Sequence, residues 1–431
     1  MKRRNFLKSG ITAAAFLHIV TPGEALAAPG GSIANTAAEN EINAEDNEAK
    51  IAGNEVKLVG FPTVMSPYED TMAIVWQTDQ PSVGWVEYGT DENCSQKAET
   101  QQNGLAEFFQ VHKVTLTGLK PGTTYFYKTC IESPLAQEER PAVKTAVQQF
   151  KTLNTNAEKI SFGIINDTHE NQPVLDKIQE INQNFKPDFL CWNGDQINDP
   201  SSEKQITTAI LNPTKASFTS GTPLVYVRGN HDTRGNWASQ LSRYLSVPKG
   251  SYYYHFIHGP VAFTVLDTGE DKPDQHKYCK GRTRFEPYRD AQAIWLDQVL
   301  SRKDMKNSPF NVVLLHIPLF SKSGWDSPDS RDKWLEILKK HKVDLLISGH
   351  THTYEFVKPG EMTDSSEWLN WEKKTKVKAV IPQLVGGGPK LEGEEFATYI
   401  KGEATAKELK ISVVNMSGKL LDTYSFPRSK K

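Results

Sequence analysis

Between residues 160 and 352 the chain alternates short apolar runs with longer polar stretches, and each run ends in residues able to hold a metal ion. The runs are ISFGIINDTH, ending at Asp167 and His169, FLCWNGD at Asp195, PLVYVRGNHD at Asn230 and His231, NVVLLHIP at His316, and VDLLISGHTH at His350 and His352. Each is nearly continuous in apolar character and rich in β-branched or aromatic residues. That pattern predicts strands buried on both faces, and the polar stretches between them carry helix-like spacing, so a parallel sheet with helical crossovers follows. In such sheets ligands bind beyond the carboxyl ends of the strands, which is where these polar residues fall. A single His or Asp at a strand end is commonly structural; this many ending in the same way call for one shared site.

The preceding hundred residues follow a different rhythm. Short period-two patterns at 72–78, 84–88, 110–116, 125–130 and 149–152 are separated by turn signals and predict an all-β sandwich over 53–153. Trp76 is its expected core indole, and Leu119-Lys120-Pro121-Gly122-Thr123-Thr124-Tyr125 resembles the tyrosine corner of fibronectin type III domains. Exposed aromatics on such a module can serve glycan or partner binding; a spacer packed on the catalytic part is the simpler role.

The N-terminus reads as an address. Lys2-Arg3-Arg4-Asn5-Phe6-Leu7-Lys8 precedes a modestly apolar stretch and then Ala25-Leu26-Ala27, which together resemble a twin-arginine signal peptide over 1–27 and imply a periplasmic or extracellular location in a bacterium. Residues 28–52, acidic and poor in large apolar groups, are expected to form a disordered tether. The chain has 431 residues, 38% of them hydrophobic, enough for two or three cored domains. Its net charge of −2 gives no general attraction for nucleic acid, and with no apolar run long enough to span a bilayer no stable membrane insertion is expected. Cys94, Cys130, Cys191 and Cys279 lack Cys-x-x-Cys spacing, so a thiolate metal site is not expected. Cys94 and Cys130 fall in one predicted domain and are close enough in sequence to pair or stay free; Cys191 reads as a small core residue.

The order Asp-x-His, Gly-Asp, Gly-Asn-His-Asp, His, Gly-His-x-His resembles the calcineurin-like metallophosphoesterase superfamily, and a sandwich ahead of it is the layout of plant-type purple acid phosphatases. The resemblance implies a four-layer α/β/β/α sandwich over 158–427 behind the fibronectin type III-like module. It implies two divalent or trivalent ions, Fe, Mn or Zn, about 3.5–4 Å apart. Asp195 would bridge them, with Asp167, His169 and His352 on one ion and Asn230, His316 and His350 on the other. It further implies an exported hydrolase of small phosphate esters that uses a metal-bridging hydroxide as nucleophile, with His231 as general acid on the leaving oxygen.

Two positions depart from the purple enzymes. The first motif has His169 where they have Gly, and Asn198 stands where they have a metal-binding Tyr, so a ferric-tyrosinate colour is not implied. Nor is there, at position 198, the Asp that calcineurin-type enzymes use to orient the catalytic His. Asp232 is expected to cap the following helix or to orient His231, and Asp267 either to support the site or to shape its loop. Substrate contacts are expected from the polar stretches 268–290, 321–330 and 355–376, with Arg282, Arg284 and Trp325 as candidates, while Arg228 or Arg234 would favour monoesters. Strand patterns at 377–385, 409–415 and 420–426 are expected to form a second sheet facing the first, and Gly386-Gly387-Gly388 between them should let backbone approach the site. A phosphodiesterase of the same fold and a surface-binding protein with a scaffold phosphoesterase domain remain the alternative functions.

Overall fold

The computed structural model describes residues 56–133, 141–211, 213, 218–279 and 281–428. The expected signal peptide and tether lie outside them.

The N-terminal part is built on β1 (Leu58–Met65), β2 (Thr71–Gly89), β3 (Phe108–Thr117) and β4 (Thr124–Glu132), with β2 pairing antiparallel to the other three. Trp76 is fully buried at its centre, stacked on His112 at 5.0 Å. The Lys120 amide donates to the Tyr125 hydroxyl at 3.0 Å, which makes the tyrosine corner. The stretches 72–78 and 84–88, expected as separate strands, are one strand. A register shift between Gln77 and Ser82 absorbs Asp79-Gln80-Pro81 as a bulge, pinned by the Thr78 hydroxyl near Gln80 O (2.8 Å) and Gln110 O (3.1 Å).

Next come β5 (Lys159–Ile165), β6 (Phe189–Asn193), β7 (Leu224–Val227), β8 (Tyr254–His258), β9 (Val261–Val265), β10 (Phe310–Leu314), β11 (Leu345–Ser348), β12 (Gln383–Val385), β13 (Thr398–Thr405), β14 (Glu408–Asn415) and β15 (Leu420–Pro427). They form two sheets. One runs β15-β14-β13-β5-β6-β7 and continues through β1 into the β-sandwich; the other runs β8-β9-β10-β11-β12. The strands ending in candidate ligands are therefore split, three in the first sheet and two in the second, each set parallel.

Burial on both faces explains why these runs are apolar at nearly every position. In the first sheet Ile164, Phe189 and Cys191 enter the core between the sheets, while Ile165, Leu190 and Trp192 enter the core under α1 (Gln172–Phe185). In the second, Val312, Leu314, Leu345 and Ile347 face the shared core, while Val313, Leu315 and Leu346 pack with Leu296 of α2 (Phe285–Leu300) and Trp334 of α3 (Pro328–Lys340). The result is the expected helix-sheet-sheet-helix layering. The α1 helix starts where the Asn171 side chain accepts from the Val174 amide and stops at Lys186, whose φ of 51° is left-handed. Its stripe of Val174, Leu175, Ile178 and Ile181 buries against the sheet.

Two expectations need correction. The strand patterns at 409–415 and 420–426 were expected in a second sheet facing the first; they extend the first. β13 pairs antiparallel with β5, Ile400 opposite Ile164, and successive strands joined by short turns stay neighbours. Of that group only β12 joins the second sheet. The stretch 355–376, expected as loop, holds a short strand at Glu355–Val357 and then a hairpin of Met362–Glu367 with Asn370–Lys378, whose polar strands give no hydrophobic alternation to read. All four cysteines are buried free thiols, so Cys94 and Cys130 do not pair.

Candidate metal centre

All seven candidate ligands arrive from strand ends or the loops just after them, and they converge. Asp167, His169 and His352 offer donor atoms that all lie within 4.8 Å of one another, and so do Asp195, His316 and His350. The first cluster brings together the three residues expected around one ion; the second joins Asp195, expected as the bridge, to two of the three expected around the other. Asn230 completes the second: its Oδ1 lies 3.1 Å from His316 Nε2 and 2.9 Å from His350 Nδ1. Asp195 sits between them, with Oδ2 at 3.1 Å from His316 Nε2 and 3.8 Å from His169 Nε2.

The backbone is bent to make this possible. Asp167, His169, Asp195, His350 and His352 have φ of 48°, 43°, 52°, 74° and 58°, the left-handed region that costs L-residues on the order of 1–3 kcal/mol each. Such strain concentrated on one cluster marks a functional arrangement. Close approach of chains adds to it: a Cβ on Gly229 would stand 2.2 Å from Asp195 Oδ1, and one on Gly386 2.0 Å from Asn166 Oδ1. The triglycine thus approaches the site as expected.

Neighbouring groups set which nitrogen of each imidazole faces inward. His169 Nδ1 lies 2.7 Å from Asn198 Oδ1, an acceptor whose amide nitrogen is engaged with His169 O at 3.3 Å, so the proton sits on Nδ1 and Nε2 presents its lone pair. His316 Nδ1 donates to Asn193 O at 2.8 Å and turns Nε2 toward Asp195. Asp167 Oδ2 accepts from Asn166 Nδ2 (2.6 Å) and the His350 amide (2.8 Å), whereas Asp167 Oδ1 is buried with no hydrogen-bond partner. Burial alone would push the His316 imidazole down, yet the carboxylates of Asp195 and Asp167 raise it to about 10, which shows how strongly this corner favours positive charge. Burial holds His350 down, to about 4, and keeps it neutral and able to ligate. An orphaned buried carboxylate oxygen and converging imidazole, carboxylate and amide donors fit two transition-metal ions. Fe, Mn and Zn all suit this set.

His231 also has a nitrogen within 4.8 Å of His169 and Asp195 donors, but both its nitrogens are engaged elsewhere. Nδ1 lies 3.0 Å from Asp199 Oδ1 and Nε2 3.1 Å from Arg234 Nη1. Its own amide donates to Asp195 Oδ1 at 2.9 Å, which fixes it beside the cluster. Asp199 is thus the orienting carboxylate that the sequence reading sought at position 198 and found missing. It lies one residue later, in a left-handed turn (φ 48°) that sequence spacing does not register.

Other expectations change. Asp232 neither caps a helix nor orients His231; its Oδ2 accepts from the Gly229 amide at 2.7 Å, and burial pushes the carboxyl up to about 6. Asp267 anchors Arg228 (2.5 Å), the Gly269 amide (3.0 Å) and Gln292, bracing the loop after β9. Arg228 is thereby tied to Asp267 and lies over Tyr252 at 4.3 Å, turned away from the cluster. Arg234 remains beside His231, held by Glu270 (2.7 and 2.8 Å) and Asp271 (3.0 Å), two acids that sequence reading missed. Trp325 and Asp271 line a small cleft beside His350, Arg282 lines a larger cavity beside Arg234, and Arg284 turns to the carbonyls of Gly281 and Thr283.

Residues 160–354 match the family described as calcineurin-like phosphoesterase, and residues 63–152 match the purple acid phosphatase N-terminal domain. The chain is similar to purple acid phosphatase 21 of Arabidopsis thaliana, 25% identical over 312 residues that cover 68% of this chain and 64% of that protein. It is similar to the serine/threonine-protein phosphatase CPPED1 of Mus musculus, 28% identical over 185 residues, covering 41% and 57%. It thus spans less than two thirds of the length of these relatives. Its fold is like that of purple acid phosphatase PPD1 from yellow lupin (Lupinus luteus) seeds, with a TM-score of 0.63 at 15% identity over 88% of this chain and 75% of that one. The chain therefore carries a calcineurin-like phosphoesterase domain preceded by a purple acid phosphatase N-terminal domain.

Proposed function

We propose that the protein is a binuclear-metal phosphoric ester hydrolase acting on small phosphomonoesters. The observation that carries this reading is the pair of donor triads around Asp195 with His231 beside them. Asp167, His169 and His352 would hold one ion, Asn230, His316 and His350 the other, and Asp195 both. When bound, the two ions supply Lewis acidity toward a phosphoryl oxygen and lower the pKa of water enough to make a nucleophile near neutral pH.

The protein side chains do the rest. Asn198 and the Asn193 carbonyl hold His169 and His316 in the tautomers that ligate. Asp199 holds the His231 Nδ1 proton, so protonation at Nε2 makes an imidazolium whose Nε2–H can be passed to the departing alkoxide. In the free protein that nitrogen faces Arg234, and burial foremost keeps its pKa below the ordinary histidine value. A phosphate oxyanion reaching this corner would engage the Arg234 guanidinium and leave Nε2 facing the leaving oxygen. The same guanidinium supports a monoester preference, since the dianion carries one more negative charge than a diester. Export rests on the Arg3-Arg4 segment and is part of the proposal; among the described residues no helix is long and apolar enough to cross a membrane.

The test is turnover of a panel of phosphate mono- and diesters by the metal-loaded protein and by Asp195→Ala and His231→Ala. Hydrolysis lost in both variants supports the reading. An intact surface-binding function with no turnover of any ester by wild type overturns it.

A further inference from the structure

The loop between β9 and α2 closes a cavity of about 660 Å³ whose near wall is Arg234, the residue that touches His231 Nε2. That volume suits a small-molecule moiety. Lys277, Tyr278 and Arg282 line it as well. Arg234 lies 5.0 Å and Lys272 5.4 Å from the centroid of the Tyr278 ring, so this aromatic is set among cations. Arg234 is ion-paired with Glu270 and Asp271, and Lys272 with Asp271. Lys277 and Arg282 are different: both are exposed, and neither makes an ion pair with any described residue. The cavity therefore carries two cations in excess of its acids, together with an aromatic face, and Arg234 in its wall reaches His231 Nε2 at 3.1 Å.

We propose that this cavity is the leaving-group subsite, and that it selects phosphate esters whose organic part is a ring or chain bearing a second anionic group. The inference rests on the phosphatase reading above only for the orientation of the ester: with His231 at the leaving oxygen, the group attached to that oxygen is directed past Arg234 into the cavity. Lys277 and Arg282 then meet a carboxylate or second phosphate, while Tyr278 supplies contact area to the part between. An ester whose leaving group is apolar or cationic leaves both cations unsatisfied.

The experiment is equilibrium binding, by calorimetry, of three non-hydrolysable probes to the metal-loaded protein: benzylphosphonate, 3-carbamoylbenzylphosphonate and 3-carboxybenzylphosphonate. The carboxylate probe should bind on the order of tenfold more tightly than the neutral amide of the same shape, the scale of two solvent-accessible ion pairs, and the advantage should shrink as salt is raised. Lys277→Ala/Arg282→Ala should bring the two affinities together, and Lys277→Arg/Arg282→Lys should restore the difference. Equal affinities in the wild type overturn the subsite, as does a preference that the alanine double variant retains. Turnover of phenyl phosphate, measured in parallel, separates the two ideas. A protein that keeps the binding preference but hydrolyses no ester refutes the phosphatase reading and leaves the anion subsite standing.

Discussion

Removing Asp199 tests whether His231 acts as a charged acid. The carboxylate lies 3.0 Å from Nδ1, but its side chain is 45% exposed, so water screens part of its field. A hydrogen bond to a charged group at a half-exposed site is worth about 1–2 kcal/mol, which converts to roughly a 5–30-fold loss in kcat for Asp199→Ala. Deleting the acid itself, in His231→Ala, should cost about 10²–10⁴-fold. Since Asp199 acts only through the imidazole, the double variant should match His231→Ala within about a factor of two, instead of multiplying the losses. The assay is kcat over a series of aryl and alkyl phosphates ordered by leaving-alcohol acidity, with metal content measured on each variant. Both losses should shrink for the most acidic leaving groups, which depart without a proton. Multiplicative losses in the double variant, or an Asp199→Ala loss that ignores the leaving group, would refute the argument.

Asp195→Ala should remove both metals, because its carboxylate faces donors of both triads; elemental analysis showing the full metal complement would refute the bridging role. The sandwich should weaken in acid through His112, which burial holds down to about 4 from 6.5. Its folded pKa is depressed, so this contribution, about 3 kcal/mol, is complete above pH 6.5 and is lost as pH falls toward 4. Denaturation of wild type and His112→Phe should show different pH slopes across that window, and parallel slopes would remove His112 as the cause. The monoester preference should appear as a higher kcat/KM for p-nitrophenyl phosphate than for bis-p-nitrophenyl phosphate, and Arg234→Ala should narrow the gap; an unchanged ratio would remove Arg234 as the reason for it.

The parts of this fold that were legible in sequence are those where burial dictates residue type over a whole segment. Strands such as Phe189–Asn193 and Phe310–Leu314 meet apolar cores on both faces, and that double demand writes a continuous run that ends abruptly where the chain leaves the core. The ends are therefore visible, and with them Asp167, Asp195, Asn230 and His316. Sheet membership is not written this way, since a strand in the middle of either sheet has the same double burial. That is why the five runs read as one sheet and divide into two. The hairpin at 362–378 was missed for the opposite reason: its strands are polar apart from a few residues such as Val377, so no apolar alternation marks them.

The same distinction explains the site. A ligand at a strand end is announced by the run before it, whereas a residue that orients a ligand is placed by loop dihedrals. Asp199 reaches His231 through a φ of 48°, and Asn198 reaches His169 through the same turn. Neither has a period or a spacing that would single it out. Asn198 carries the more general lesson. Reading it against a tyrosine-containing pattern makes it a loss, a ligand gone from the motif. In the folded chain its amide oxygen holds the proton on His169 Nδ1, in the very motif where a His stands in place of the purple enzymes' Gly. On the proposed metal assignment the two positions act together: the imidazole turns Nε2 toward His352 and Asp195, and the amide fixes its tautomer. Asn198→Ala should accordingly weaken the retention of one metal more than the other, and a variant that holds both as tightly as wild type would break the link between these two positions.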